Sequence, residues 1–504
     1  MPTNRPDAES ATVALVATRA GKAKTRVIVV GGGTAGVIVA AELSRESSFE
    51  VVLVEAGNDR EREPSANLFE AMHDPASYWP DAQCLIDESS FGYKRGLGIG
   101  GSSAINGAIC SLPDPVEFEA WATATGDSTW GPDAVQSAFQ ELGSGITTLD
   151  RADWGRADRA LANAAHKWPG NSVNGLPLAI DETTRHRRTP GFRLLNEARV
   201  RPNLTVLTGC NVERLVVNAA ADNSGAATVN GVRLDNGTEL VADHTVLCAG
   251  VIGSPTILLR SRVGRPGVGK SFQNHVGVTI TWDFGEPIQE KGPVSSVVAE
   301  LGDAGDRIQF VSFNVFGHGG DTNFGGFIAS PMRPTSARGH LTLDSSGQPQ
   351  IEFRLSPDDR CALGRALRVA VQIGTGAVDA GDATEALIDE AGSLASSLTS
   401  ATPDELEQWA ITHLAPVYHA VGTCRMGRVD DANSIVDPNC SVIGVTGLSV
   451  IDASVFPTLP AVGPNLTVAM VALKASQKLT ALLTNHASLR PEATTDRQDL
   501  TANV

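Results

Sequence analysis

The chain has 504 residues and a mass of 52.6 kDa, room for two to four domains and a core that needs no disulfide or metal staple. The 57 acidic against 40 basic residues give a net charge of -17 and a pI near 5.0, which argues against nucleic acid or an anionic membrane surface as the main partner. Aromatics at 5 % argue against stacking platforms for single-stranded nucleic acid. Cys84, Cys110, Cys210, Cys248, Cys361, Cys424 and Cys440 are scattered, odd in number and form no CxxC pair, so neither a disulfide framework nor a metal site is expected and a reducing cytoplasm fits. No apolar run approaches the ~18 residues of a membrane span. Glycine is enriched, 51 residues in all, and falls in short clusters that read as tight turns.

Residues 1–25, rich in Ala, Thr and charge, read as a disordered extension. Val27-Ile28-Val29-Val30 is a buried-strand pattern, Gly31 to Gly36 a glycine turn, Val37 to Ser44 a helix, and Val51 to Val54 a second strand ending at Glu55. Residues 60–92 are polar, with no clear period. A glycine cluster runs from Gly96 to Gly107. Residues 115–165 look helical, with Trp121, Trp130 and Trp154. Residues 203–248 read as strands, with Asn236-Gly237 as a hairpin turn. The stretch 278–353 is again strand-like, Ile308 to Phe316 being the longest run. Helices are expected at 357–375 and 403–413, and a polar disordered tail at the end. Alternating strands and helices at both ends with a β-rich middle point to a dinucleotide-binding unit assembled from separated segments, with a second domain inserted.

Gly31-x-Gly33-x-x-Gly36 follows a strand and opens a helix. Its first glycine allows the turn, the second lets backbone approach a pyrophosphate, and the third permits close helix–strand packing. Thr34 and Ala35 supply helix N-terminal amides for the phosphates. Glu55, followed by Ala56, stands where a carboxylate hydrogen-bonds the ribose hydroxyls. This motif leaves FAD and NAD both open.

Gly96-Leu97-Gly98-Ile99-Gly100-Gly101-Ser102-Ser103-Ala104-Ile105-Asn106-Gly107 is more specific, because small residues let backbone reach a bulky planar ligand. Here the chain resembles the glucose-methanol-choline (GMC) oxidoreductase family of flavoproteins. Further segments are similar to that family. They are Arg201 to Val206 with Asn211-Val212, Ala249 to Leu259, Arg333-Pro334 to Leu343, Val436-Asp437-Pro438 and Ile451 to Pro457. The resemblance implies an α/β fold, with a Rossmann-type FAD-binding domain interleaved with a β-rich α+β substrate-binding domain. The FAD-binding parts would be 26–120, 187–277 and 430–484. A cap segment would occupy 121–186 and the substrate-binding domain 278–429, with 485–504 a disordered tail. It also implies that Gly98, Gly101, Ser102, Asn106, Gly107 and Ala108 lie along the flavin and that Val212 meets the adenine. Ala249, Gly250, Asp452, Ala453, Pro464 and Asn465 would complete the cofactor site. Some members tether FAD through a histidine in the glycine–serine loop. The aligned residue is Ile105, so FAD is expected to be held non-covalently.

Tyr418-His419-Ala420-Val421-Gly422-Thr423 resembles the family's segment whose histidine faces the flavin. Oxidising an alcohol removes a hydroxyl proton and a hydride, and a neutral imidazole can take the proton at neutral pH. His419 is therefore the expected base. The family's second catalytic His or Asn aligns with Gly463, a departure that makes Asn465 the candidate substitute. Asn274-His275 resembles a family segment whose histidine is structural or near the flavin. His244, His166 and His186 read as bland. Ser449 and Ser454 lack a G-x-S-x-G elbow and do not make a hydrolase, and Cys424 reads as a small packed residue. Phe310, Phe313, Phe316 and the loop 72–93 are candidate substrate contacts, with sheet core the alternative for the phenylalanines. The expected function is oxidation of a small- to medium-sized organic alcohol, as an oxidase or dehydrogenase. Atypical non-redox chemistry (lyase, cyclase or isomerase) is the alternative that Gly463 motivates. A flavin-binding protein without catalysis is a third.

Overall fold

The computed structural model describes residues 24–60, 63–87, 89–168, 170–218, 227–288, 293–302, 307–315, 323–332 and 339–488. Most of the N-terminal extension, Phe316, Arg333-Pro334 and most of the C-terminal tail lie outside the described residues.

Strands Thr25–Val30 and Phe49–Val54 pair in parallel around helix Thr34–Leu43, as the apolar runs and glycine turn require. Among the described residues they sit within a five-stranded parallel sheet, in the order Leu448–Val450, His244–Leu247, Thr25–Val30, Phe49–Val54, Leu204–Leu207. Val27, Val29, Val51 and Leu53 are fully buried, because helices cover both faces of such a sheet. Strands separated by some 200 residues are thus neighbours, and the C-terminal segment returns to the sheet edge.

A second sheet is antiparallel throughout the described residues. It runs Glu385–Leu387, Val276–Asp283, Phe324–Pro331, Ile308–Phe313, Val297–Leu301, Asn171–Gly175, with Ala415–Pro416 beside Val276–Asp283. Its longest strands are Val276–Asp283 and Phe324–Pro331, eight residues each, rather than the run from Ile308, which stops at Phe313. Helix Pro357–Asp379 packs on it, started by a Ser356–Asp359 capping box and Pro357. Trp282, Phe310 and Phe327 form its aromatic core. Phe310 is therefore a core residue and not a substrate contact. Phe313, three residues on and partly buried, pairs across to Gly326.

The stretch 60–92 holds more order than its sequence shows. Strands Ala82–Ile86 and Ser89–Tyr93 form a hairpin that joins His340–Leu343 and Pro349–Phe353 in a four-stranded sheet. The last helix, Asn465–Ser488, also departs from expectation. Its first 21 residues are long and apolar enough to cross a membrane, but 61 % of the most apolar stretch is buried against the rest of the protein. It packs on helices Thr34–Leu43 and Pro132–Leu142, which is the use its apolar surface has here.

Candidate active site

Two glycine clusters meet at one end of the parallel sheet. Gly31 has φ +100°, and a Cβ on it would stand 2.6 Å from the Cys248 carbonyl oxygen. A Cβ on Gly36 would lie 1.8 Å from the Gly31 oxygen, so only glycine lets the helix start this close to the strand. Gly33 faces Gly101, with 3.9 Å between its would-be Cβ and that Cα, and the Gly100 N–H donates to Gly32 O at 2.8 Å. Helix Thr34–Leu43 has no side-chain cap, so its first N–H groups, those of Thr34 and Ala35 among them, are not met by a capping side chain.

Glu55 is buried, and its carboxylate accepts N–H bonds from Gly32 at 2.6 Å, Gly57 at 2.9 Å and Gly98 at 2.8 Å. One side chain thereby ties both glycine clusters to the end of the second strand beside Ala56. A carboxylate accepts about four hydrogen bonds, so three of them are filled by backbone here and one acceptor position is left. Arg60 donates to the Leu97 and Ile99 carbonyls and pins the same loop.

The second loop is fixed from beneath by Arg187, which no sequence signal singled out because it sits in a basic run that looks solvated. Its guanidinium donates to Ser103 O, to Asn106 Oδ1 at 2.7 Å and to Asn106 O at 2.6 Å. Burial holds its pKa down to about 10. Asn106 Oδ1 also accepts the Ala108 N–H, and Ala108, buried, takes φ +57°. Ser102 is exposed beside Gly101, and Gly107 and Ile105 complete the turn. Val212, buried, opens strand Val212–Asn218. Ala249 and Gly250 begin helix Gly250–Ser261. There Asp452 accepts from Gly250 N at 2.9 Å and from Ser254 Oγ at 2.5 Å, and its other oxygen accepts from Ser454 N, next to Ala453, at 2.8 Å. Burial pushes the Asp452 carboxyl up while these bonds oppose the shift.

His419 follows Tyr418, whose φ of +61° turns the chain sharply. Its backbone N–H donates to Asn274 Oδ1 at 2.8 Å, and its Nδ1 lies 3.0 Å from His275 Nδ1. The next N–H, of Ala420, donates to the Tyr93 hydroxyl at 3.0 Å, which brings the unforeseen hairpin to the site. A Cβ on Gly463 would stand 3.3 Å from His419 Nε2 and 3.5 Å from Cε1, so Nε2 looks onto a residue without a side chain. His419 keeps partial surface exposure although protein surrounds it, and that desolvation lowers its pKa to about 4. Burial, then the neighbouring ring of His419, holds His275 well below the ordinary imidazole value.

Asn465 does not take the place of a partner for His419. Its Oδ1 accepts from Thr34 Oγ1 at 3.4 Å and its Nδ2 lies 4.0 Å from Cys110 Sγ, which puts it on the glycine-turn side. Ser449 pairs with His244 at 3.0 Å, so this serine is not directed at His419. Among the described residues the Thr467 hydroxyl, in the first turn of the helix that Pro464 precedes, is buried without a partner, as are His275 Nε2 and Asn274 Nδ2. An uncapped helix start and a glycine cradle open at Gly33 fit a dinucleotide cofactor at the glycine turn.

Family models described as GMC oxidoreductase match residues 25–277 and 334–472. The chain is 28 % identical over 545 residues to the 5-(hydroxymethyl)furfural oxidase of Methylovorus sp., covering 89 % of this chain and 97 % of that one. It is 27 % identical over 511 residues to the choline oxidase of Arthrobacter globiformis, covering 88 % and 92 %. The solved pyridoxine 4-oxidase of Mesorbium loti superposes with a TM-score of 0.76 at 24 % identity, covering 90 % of this chain and 99 % of that one, which bears on the fold. The chain belongs to the GMC oxidoreductase family, whose members bind FAD, and is an oxidoreductase of that kind.

Proposed function

We propose that this enzyme oxidises the CH–OH group of a small- to medium-sized organic alcohol to a carbonyl, with His419 as general base. The observation that carries it is the placement of His419 Nε2, partly exposed and facing the bare backbone of Gly463. The names of the relatives, oxidases of 5-(hydroxymethyl)furfural, choline and pyridoxine, support an alcohol as substrate.

FAD, when bound, supplies the hydride acceptor at its N5. Gly31, Gly33, Thr34, Ala35 and Gly36 hold the pyrophosphate. Glu55 and Ala56 meet the ribose and Val212 the adenine. Gly98, Gly101, Ser102, Asn106, Gly107 and Ala108 line the flavin, with Ala249, Gly250, Asp452, Ala453, Pro464 and Asn465 closing the site. Ile105 offers no nucleophile, so FAD would not be tethered at that position and is expected to be held non-covalently. His419, neutral at pH 7, takes the hydroxyl proton on Nε2. Phe313 and Gly463 border the substrate. Gly463 leaves the developing alkoxide without a side-chain donor, which costs roughly 2–4 kcal/mol by comparison with lost oxyanion donors. A water or a second hydroxyl of the substrate fills that role. The bare glycine also favours a second reading, non-redox chemistry (a lyase, cyclase or isomerase) at His419.

Anaerobic mixing with trial alcohols separates the two. Bleaching of the flavin supports oxidation. Turnover without bleaching assigns that substrate to the non-redox reading.

A further inference from the structure

His275 immediately precedes strand Val276–Asp283 and is 2 % exposed. Together with Asn274 it grips His419 at two points, the backbone N–H and ring Nδ1. The two rings stand at 81° with centroids 5.3 Å apart. A hydrogen bond between two Nδ1 atoms needs one proton, and the ring that carries it decides what Nε2 of His419 can do. Were His275 the donor, neutral His419 would hold its proton on Nε2, and the atom facing Gly463 would have no lone pair. With His419 as donor, Nε2 presents a lone pair toward Gly463. His275 then keeps its own proton on Nε2, the buried atom without a partner among the described residues.

We propose that His275 is a positioning residue that accepts the Nδ1–H of His419 and so fixes the tautomer in which His419 Nε2 receives the substrate's proton. This rests on His419 being the base. In the cycle the substrate O–H bond breaks and an N–H bond forms on His419 Nε2, and the carbon bearing that oxygen gives up a hydride that FAD, when bound, would accept. The Nδ1–H to Nδ1 bond persists throughout, and the positive charge on His419 faces a neutral acceptor. Two buried rings at 3.0 Å do not both charge, so the pair holds one extra proton at most. Among the described residues the titratable groups that meet the His419 segment include the phenols of Tyr93, which accepts the Ala420 N–H, and Tyr418, whose rings meet edge-on, with the Cys84 thiol behind them. Among the described residues no carboxylate or cation shifts either imidazole.

The test is nitrogen NMR of the FAD-loaded enzyme with 15N-labelled histidine rings, with His419→Gln used to assign the His419 signals. His419 is expected as the Nδ1–H tautomer and His275 as the Nε2–H tautomer. Observation of His419 as the Nε2–H tautomer overturns the proposal without any variant of His275. Anaerobic flavin reduction by 5-(hydroxymethyl)furfural and benzyl alcohol then reads function. His275→Asn, which keeps an acceptor oxygen near the position of Nδ1, is expected to retain the tautomer and most of the rate. His275→Leu is expected to mix the tautomers and to slow reduction about 10²-fold. Its acid limb should move to lower pH, since the imidazolium has lost its acceptor. Equal losses in both variants with an unmoved pH profile would assign His275 to packing alone. If His419→Gln reduces flavin at the native rate, the base assignment itself falls, whatever the tautomer measured at His275.

Discussion

The cofactor half and the catalytic half of the site are built on opposite rules. Around the glycine turns the charged groups of Glu55, Asp452 and Arg187 are engaged within the protein, with Arg187 Nε and Ser454 Oγ the unmet atoms there among the described residues. Glu55 accepts three amides, Asp452 ties a helix start to a turn, and Arg187 grips the Asn106 loop. What is left for the ligand there is backbone. Around His419, among the described residues, His275 Nε2 and Asn274 Nδ2 are left unmet, and Gly463 brings no side chain at all. A rigid cradle can be made of main chain, because a pyrophosphate asks only for N–H groups at fixed places. Proton transfer needs a side chain with an unfilled lone pair, and this half keeps one available. The comparison can be broken by variants on either side.

The largest effect belongs to the catalytic half. His419→Gln should lower the rate of anaerobic flavin reduction by about 10²–10⁴-fold while leaving flavin content near native, since the base contributes to the barrier and not to the cradle. Stopped-flow reduction together with the flavin-to-protein absorbance ratio checks this. A variant that loses flavin instead would show that the halves are not separable. Gly36→Ala is the mirror test. Its Cβ would meet the Gly31 oxygen at 1.8 Å, and relieving that overlap should destabilise the fold by about 3 kcal/mol and strip the flavin. Thermal unfolding and flavin content read both. Native flavin occupancy in this variant would mean that the helix start is not clamped as the geometry requires.

Glu55→Gln comes next. The amide keeps one acceptor oxygen and turns an N–H₂ toward backbone donors, so at least one amide loses its partner, at about 1–3 kcal/mol. The expected signs are a lower Tm and weaker FAD retention on dialysis, with the reduction rate of the loaded fraction unchanged. A slowed loaded fraction would give Glu55 a reach into the catalytic half.

The same contrast explains what the sequence disclosed. The first strand, glycine turn, helix and second strand are legible because their geometry is local and their glycines sit at fixed spacing. His419 is legible through the resemblance of its segment. The hairpin at 82–93 is not, because its pairing partner, Pro349–Phe353, lies some 260 residues away and its own burial is uneven. The link of His275 to His419 spans 144 residues, and the motif around Asn274 named the residue without its contact. The family resemblance offers Asn465 as the substitute for Gly463, but its side chain follows the helix start toward Thr34 and Cys110 rather than His419. The last helix hides its length because polar residues interrupt the apolar ones, while neighbours on two sides bury most of it.

The smallest effect concerns pH, and it uses a histidine from the cofactor half as the reference. His244, at the start of strand His244–Leu247, is buried against Ser449, and burial lowers its pKa to about 4. The unfolded chain binds a proton at this residue below pH 6.5, whereas the folded chain stays neutral down to about 4. The unfolded state therefore holds more protons across that window, and stability is complete above pH 6.5 and declines as pH falls toward 4. One such proton changes stability by about 1.4 kcal/mol per pH unit. Raised carboxyls such as Asp452 and Glu63 act with the opposite sign, so the total slope does not isolate His244. The slope difference between the native chain and His244→Gln does, because the amide keeps a partner for Ser449 without titrating. The Tm of His244→Gln should fall less than that of the native enzyme between pH 6.5 and 4.5, by a few degrees at most. The same substitution should leave the pH dependence of flavin reduction untouched, since His244 is paired with Ser449 and has no hydrogen bond to His419 or His275. A shifted reduction profile in His244→Gln would join the two halves electrostatically and remove the division between them.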